Sequence, residues 1–171
     1  AFSLFIDNGF NKTSISDIVK NAGVAKGTFY LYFKDKYEIR NRLISHESSK
    51  LFKDAVAALE KKSSTASEEP AFEEKMIFII NYIVDALDGN HSLLTFISKN
   101  LSWGVFKEAL TTNVASNDIN FKDIYYEMLS TSGLSIEEPE ILLFLVVELV
   151  GSTCYSSILY NDCLLYTSDA A

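Results

Sequence analysis

The amino-acid sequence predicts an all-α protein. Apolar residues recur at spacings of three and four along most of the chain, a pattern typical of amphipathic helices, and no segment alternates convincingly as a strand. The 171 residues include only 7 glycines and 2 prolines, fewer than a fold of many short strands and turns requires. Because 48% of the residues are hydrophobic, the predicted helices can bury a substantial core.

Short helices with clear start and stop signals are predicted at the beginning of the chain. Residues 1–8 have the pattern of the last turns of a helix, which Gly9 ends. Thr13 or Ser14 can cap the next helix, because a hydroxyl oxygen there accepts a hydrogen bond from a free backbone N–H group. We expect Gly23 to end that helix, since glycine readily adopts the left-handed conformation found at helix ends.

Longer amphipathic helices are predicted further along the chain. A short helix over 26–33 precedes a long one that opens at Lys36 and continues to Leu59. Residues 61–70 are rich in Ser, Thr and Glu without periodicity, so we expect a loop. The remaining predicted helices are 71–87, 91–110 with an interruption at Gly104, 117–129, and 139–160 with Pro139 in its first turn.

Charge divides the chain into two unlike parts. The whole chain carries a formal net charge of −8, which alone argues against nucleic acid as a partner. However, residues 1–50 carry +3 and the remaining residues carry −11. The first part can therefore approach phosphate groups while the acidic part is repelled, which favours one docking orientation.

Hydropathy and cysteine usage predict a cytoplasmic protein. No uninterrupted apolar run reaches the roughly 18 to 20 residues that a membrane-spanning helix needs. The most apolar stretch, 141–150, contains Glu148 and is predicted to be a buried helix. Cys154 and Cys163 occur without a secretory signal, so we expect a reducing compartment and no disulfide framework.

The segment 13–36 is the most informative part of the chain. Two short helices joined by a glycine turn form a helix-turn-helix, whose second helix enters the major groove of DNA. The residues that define the pattern here are Thr13, Ile15, Ile18, Ala22, Gly23, Val24, Lys26, Gly27, Phe29, Tyr30, Tyr32, Phe33 and Lys36. Together they resemble the TetR family of bacterial transcriptional regulators over about the first 45 residues. The rest of the chain agrees with that family in size and helix count.

The resemblance and the chemistry of the side chains predict a set of DNA-contacting residues. Gly27 lets its helix approach the base edges closely, and Lys26 can reach a guanine edge or a phosphate. Thr28 and Leu31 can contact thymine methyl groups, although packing of Leu31 against a neighbouring helix is an equal alternative. The full predicted set is Thr13, Ser14, Ala25, Lys26, Gly27, Thr28, Tyr30, Leu31, Tyr32 and Lys36.

Contacts to phosphate are predicted for the hydroxyl and ammonium groups around this helix. Tyr30 and Tyr32 carry phenol groups that can bond phosphate oxygens, and Lys36 adds positive charge beside them. Thr13 and Ser14 lie at a helix N-terminus, where anions are favoured. The family usually has Ser or Thr where this chain has Ala25, so one side-chain cap is missing, at a cost of about 1 kcal/mol.

The resemblance also implies the role of the remaining helices. Members of the family bind small molecules in their C-terminal part and dimerise through their last two helices. The polar aromatic residues Tyr82, Trp103, Tyr125 and Tyr126 are the predicted pocket residues, because each offers a polar atom that could orient a ligand. The expected partners are a double-stranded DNA operator, a small-molecule effector and a second copy of the chain, with no membrane and no cofactor.

These observations predict a ligand-responsive repressor that acts as a homodimer on a palindromic operator. One alternative is a helical ligand-binding or division-associated module that keeps the DNA-binding segment without regulating a promoter. An enzyme on a helical bundle is a third. His46 and His91 form no metal-ligand pattern, and the sequence has no phosphate-binding loop or nucleophile elbow, so we expect no metal site and no enzyme activity.

The predicted division is a helix-turn-helix domain over 1–45, a helical ligand-binding and dimerisation domain over 46–162, and a non-native tail over 163–171. The family normally has a full first helix, often preceded by a basic arm. We therefore expect this chain to begin inside an element. The last nine residues resemble the translated sequencing-adaptor tails of fragmentary reading frames, and we expect the native sequence to end near Asp162.

Overall fold

The computed structural model describes residues 1–64, 69–111 and 121–160, and these residues form α-helices without strands. This confirms the predicted all-α fold. The helices are α1 (Phe2–Asn8), α2 (Ile15–Ala22), α3 (Lys26–Tyr32), α4 (Lys36–Ser63), α5 (Phe72–Asp88), α6 (His91–Asn100), α7 (Trp103–Thr111), α8 (Phe121–Ser132) and α9 (Pro139–Tyr160). We call α1–α3 with the first turns of α4 the head, and the remainder the body.

The helix break predicted at Gly104 lies instead at 101–102, between α6 and α7. Leu101 adopts an extended conformation that ends α6. The hydroxyl oxygen of Ser102 then accepts a hydrogen bond from the Val105 N–H at 3.4 Å, which supports the start of α7. Gly104 therefore lies in the first turn of a helix, because the serine cap before it decides where that helix begins.

The domain boundary predicted between 45 and 46 falls within α4, a helix of 28 residues. The same helix extends to Ser63, past the expected start of the loop at Lys61. The predicted tail 163–171, with Cys163, lies outside the described residues. Cys154 is a free, half-buried thiol, and burial raises its pKa.

In the part of the chain that the structure describes, three hydrophobic clusters form the core, and one of them joins head and body. This head core contains buried residues of α1–α4 together with two from the body, Phe96 of α6 and Val105 of α7. A second cluster lies between α4, α5 and α8, and a third lies between α7, α8 and α9. The head-core residues are Phe5, Ile18, Val19, Phe29, Ile44, Phe96 and Val105.

Helix α9 differs from the prediction of a buried helix. Leu143 is buried against the third cluster, but Leu145 and Leu149 are 57% and 70% exposed. The segment Pro139–Ile158 has a mean hydropathy of 1.9. Judged by length and composition alone, it is long and apolar enough to span a membrane. Glu140 and Glu148 interrupt the apolar run, so this segment contains no uninterrupted stretch of the predicted spanning length. Such a helix also occurs in soluble proteins, where a neighbour covers its apolar face.

Candidate DNA interface

Local hydrogen bonds fix both ends of α2. The Ser14 hydroxyl oxygen accepts from the Asp17 N–H at 3.2 Å, and the Asp17 carboxylate accepts from the Ser14 N–H at 2.8 Å. The Ser14 hydroxyl also donates to this carboxylate, and this bond is the main reason that the pKa of Asp17 lies below its usual range. Gly23 ends the helix with φ of 68°, a left-handed conformation. The sequence alone predicted both ends.

Helix α3 is anchored on one side and open on the other. Phe29 is buried in the head core, and its ring lies 5.4 Å from that of Phe33. On the opposite side Leu31 is 81% exposed. The packing alternative for Leu31 is therefore wrong for this chain. Most of the other predicted contact residues of this helix are also exposed, namely Ala25, Lys26, Gly27, Tyr30 and Tyr32, while Thr28 is half-buried.

No other part of the protein crowds the exposed Gly27. A Cβ atom built there meets no heavy atom within 4 Å. Neither packing nor the backbone therefore requires glycine at this position, whose φ is not in the left-handed range. The lack of a side chain is consistent with close approach to an external surface. Ala25 makes no side-chain cap at the N-terminus of this helix, as predicted.

A basic groove of about 430 Å³ lies between the first turns of α2, α3 and α4. Lysines 12, 26 and 36 line it, against the single acid Asp35, so its potential favours an anion. Six of its ten lining residues were not among the predicted contact residues, and two of the six are Ile15 and Asp35. The other four are polar or aromatic residues next to the α2 cap or at the start of α4, a signal from which they could have been predicted. These four polar or aromatic residues are Asn11, Lys12, Ser16 and Tyr37.

Two predicted phosphate ligands bond to backbone carbonyls of the protein itself. Thr13 is only 1% exposed, and its hydroxyl oxygen lies 2.9 Å from the Gly9 carbonyl oxygen and 3.1 Å from that of Leu4. The two hydrogen bonds join the α1–α2 loop to α1. Because the side chain is buried, it is not available at the surface to bind a phosphate. Lys36 lines the groove, yet its ammonium group donates to three backbone carbonyls of the same loop.

The four predicted pocket residues do not form one group. Tyr82 packs against the second cluster, whereas Tyr125 and Tyr126 belong to the third. Trp103 lies at the edge of the third cluster, where its ring packs edge-on against that of Phe144 at 5.1 Å. The structure therefore brings together three of the four, on the side where α7, α8 and α9 meet.

The two adjacent tyrosines already have internal partners. The Tyr125 hydroxyl donates to the Pro139 carbonyl oxygen at 3.1 Å, and burial raises the pKa of this phenol. Burial and the neighbouring Glu140 carboxylate raise the pKa of Tyr126 to about 12. Hydrogen bonding from Tyr126 is the main cause that lowers the pKa of Glu140, whose carboxylate also lies 3.3 Å from Lys122 Nζ. Both phenols are therefore neutral near pH 7 and tie α8 to α9.

No metal centre competes with these sites in residues 1–64, 69–111 and 121–160. In those ranges no three His, Cys, Asp or Glu side chains come together in an arrangement that could hold a metal ion.

Comparison with known proteins decides the family. Residues 1–43 match the profile of the bacterial regulatory proteins of the tetR family. An uncharacterized HTH-type transcriptional regulator of Haemophilus influenzae is 31% identical over 144 residues, which cover 84% of this chain and 71% of that relative. The chain belongs to the TetR family of transcriptional regulators.

Other relatives of this TetR-family chain have names that refer to fatty acids. The fatty acid metabolism regulator protein of Bacillus subtilis is 36% identical over 94 residues, or 54% of this chain. The match spans only 44% of the length of that protein. The solved structure of the fatty acid degradation regulator FadR from Bacillus halodurans covers 94% of this chain and 80% of its own, with a TM-score of 0.57 and 20% identity. This likeness shows that the fold is TetR-like.

Proposed function

We propose that this TetR-family chain acts as a ligand-responsive repressor, binding a palindromic operator as a homodimer in the cytoplasm. The observation that carries the proposal is the exposed face of α3 beside the lysine-lined groove. Ammonium groups and phenols there can bind phosphates, while Lys26 and the space at Gly27 allow contact with base edges. A helix-turn-helix dimer reads two half-sites one helical turn apart, so a palindromic site follows from its two-fold symmetry.

Dimerisation is supported by the uncovered apolar side of α9. Leu142, Leu145 and Leu149 are exposed in the single chain at spacings of three and four, so they share one face of the helix. A second copy of the same helix would remove this apolar surface from water, which stabilises association. A homodimer also places two heads side by side, as a palindromic operator requires.

Regulation in this proposal is a shift between two conformations of the body. An effector that binds one conformation more tightly moves α4 and sets the two heads out of register with successive major grooves. Trp103, Tyr125 and Tyr126 are the proposed effector-facing residues. Because two relatives are named for fatty acid metabolism or degradation, a fatty acid is the effector class that we propose.

The test of DNA binding uses the protein with a duplex from upstream of its own gene and with a shuffled duplex. Affinity for the upstream duplex should be higher and should fall steeply with salt, because bound lysines release counterions from phosphates. Lys26→Ala should weaken binding and reduce the salt slope by about 1, or relax the sequence preference. Lys53→Ala on α4 in the body removes the same charge and should change neither.

Two outcomes would decide against the proposal. Salt-insensitive binding without a preferred site would remove the repressor function and favour the module that keeps its head without regulating a promoter. Binding of one protein molecule per palindromic duplex, measured by sedimentation, would remove the homodimer.

A further inference from the structure

Lys36 has an unusual set of partners for a lysine at a DNA-binding surface. Its Nζ atom lies 3.0 Å from the carbonyl oxygen of Phe10, 3.3 Å from that of Asn11 and 3.2 Å from that of Thr13. An ammonium group has three donors, so these carbonyls can use all of them. The partners lie 23 to 26 residues earlier in the chain, which makes this a tertiary contact.

An aromatic ring completes the site around this ammonium group. Lys36 Nζ lies 4.6 Å from the centre of the Phe10 ring, within the range of a cation–π interaction. The Arg40 guanidinium lies 5.0 Å from the same ring. The Phe10 ring in turn packs edge-on against Phe5 of the head core at 5.2 Å. Lys36 is therefore held against a loop whose side chains rest on the core.

The loop that Lys36 holds leads directly into α2. Its last bonded carbonyl belongs to Thr13, and the next residue, Ser14, caps that helix. Because Lys36 is itself the first residue of α4, its ammonium group joins the start of α4 to the start of α2. These two starts form two sides of the basic groove.

We propose that Lys36 is a positioning residue for DNA binding, which holds the N-termini of α2 and α4 in register instead of binding a phosphate itself. Its positive charge is satisfied by the loop carbonyls, and the groove is left for Ser14, Lys12 and Lys26 to receive the phosphate backbone. This inference rests on the proposed function and assigns Lys36 a role within it.

The variant Lys36→Arg distinguishes a positioning residue from a phosphate ligand. A guanidinium keeps the charge and binds phosphates well, through two parallel hydrogen bonds. It is planar, however, and cannot converge on three carbonyls as a compact ammonium does. A phosphate ligand at position 36 would therefore keep or improve affinity as arginine, whereas a positioning residue would lose it. Lys53→Arg in the body is the matched control.

The experiment compares wild type, Lys36→Arg, Lys36→Met and Lys53→Arg in affinity for the upstream duplex and in amide hydrogen exchange. Both Lys36 variants should bind about tenfold more weakly, and amides of residues 10–14 should exchange about tenfold faster in free protein. The control should match wild type in both. Amides of residues 15–32 should keep wild-type protection, which shows that α2 and α3 remain folded.

Each other result overturns the proposal. Wild-type affinity in Lys36→Arg with weak binding in Lys36→Met makes Lys36 a phosphate ligand, and wild-type affinity in both variants gives it no role. Faster exchange throughout residues 2–32 makes it a residue that merely stabilises the head. If wild type itself shows salt-insensitive binding without a preferred site, the proposed function fails first and this inference falls with it.

Discussion

Two exposed surfaces, the outer face of α3 and the outer face of α9, differ in what surrounds their apolar groups. On α3, Leu31 lies between the phenols of Tyr30 and Tyr32, and the groove with its lysines is close by. On α9, Leu145 and Leu149 belong to an aliphatic face with few charges. Apolar groups mixed with cations and hydroxyls suit the bases and phosphates of DNA, whereas a purely aliphatic face suits another apolar helix. Exposure alone therefore does not indicate the partner.

The head, which carries α3, and the body, which carries α9, are nevertheless joined through one core. The ring of Phe96 on α6 packs edge-on against Phe2 at 5.2 Å and stacks with Phe5 at 6.2 Å. A body helix thus contributes a buried side chain to the head. Displacement of α6 would disturb the packing of α1, which gives the proposed regulation a physical route from body to head.

The largest expected effect comes from removing this shared side chain. Phe96→Ala should lower the free energy of unfolding by about 3 to 5 kcal/mol, because it leaves a cavity between head and body. Phe96→Leu, which keeps most of the apolar volume, should cost less than about 1.5 kcal/mol. Urea unfolding followed by circular dichroism measures both. A loss below about 1 kcal/mol for the alanine variant would mean that head and body are separate folding units.

Negative charge placed on the outer face of α9 should disrupt the association of two chains. Leu145→Glu with Leu149→Glu should turn the proposed dimer into a monomer, because carboxylates would be buried between two apolar helices. The stability of the single chain should change by less than about 1 kcal/mol, since both side chains are exposed in it. Sedimentation velocity measures the assembly. Ile77→Glu, at a similarly exposed position on α5, is the control and should leave the proposed dimer intact.

A methyl group at position 27 should raise the stability of the head and lower its affinity for DNA. Gly27→Ala should raise the stability of the head by up to about 1 kcal/mol, because alanine favours helix and meets no atom of the protein. Affinity for the upstream duplex should fall by roughly tenfold, since each 1.4 kcal/mol of lost contact is a factor of ten. Ala25→Ser restores a helix cap without adding volume at position 27, and it should raise stability without weakening binding. Equal effects of both variants on affinity would contradict the proposed close approach at Gly27.

The smallest effect is a pH dependence at the start of α2. The pKa of Asp17 is lowered by its hydrogen bonds to Ser14, so the folded state holds this carboxylate ionised to a lower pH than the unfolded chain. Its contribution to stability is present above the unfolded value of 3.8 and is lost as pH falls through the lower folded value. An NMR titration of the Asp17 carboxyl should therefore give a midpoint below 3.8. Asp17→Asn should remove this dependence, and a midpoint at or above 3.8 would show that the capping box does not form in solution.

Local patterns account for the features of α2 and α3 that were predicted correctly. The cap at Ser14, the left-handed glycine at Gly23 and the uncapped Ala25 each depend on residues within one or two turns. The same holds for the outward direction of Lys26 and Tyr30, because burial of Phe29 sets the rotation of α3. Such features follow from helix periodicity and hydrogen-bond chemistry, which act over short distances in the sequence.

By itself the sequence determined the all-α class, the helix-turn-helix with its caps and the opposite charges of the two parts of the chain. Only the tertiary structure decided that Thr13 is buried, that Lys36 bonds to loop carbonyls, that Phe96 belongs to the head core and that α9 leaves its aliphatic face open. The direction of a side chain depends on partners that folding brings near. For Lys36 these partners lie 23 to 26 residues away, and no local pattern contains them.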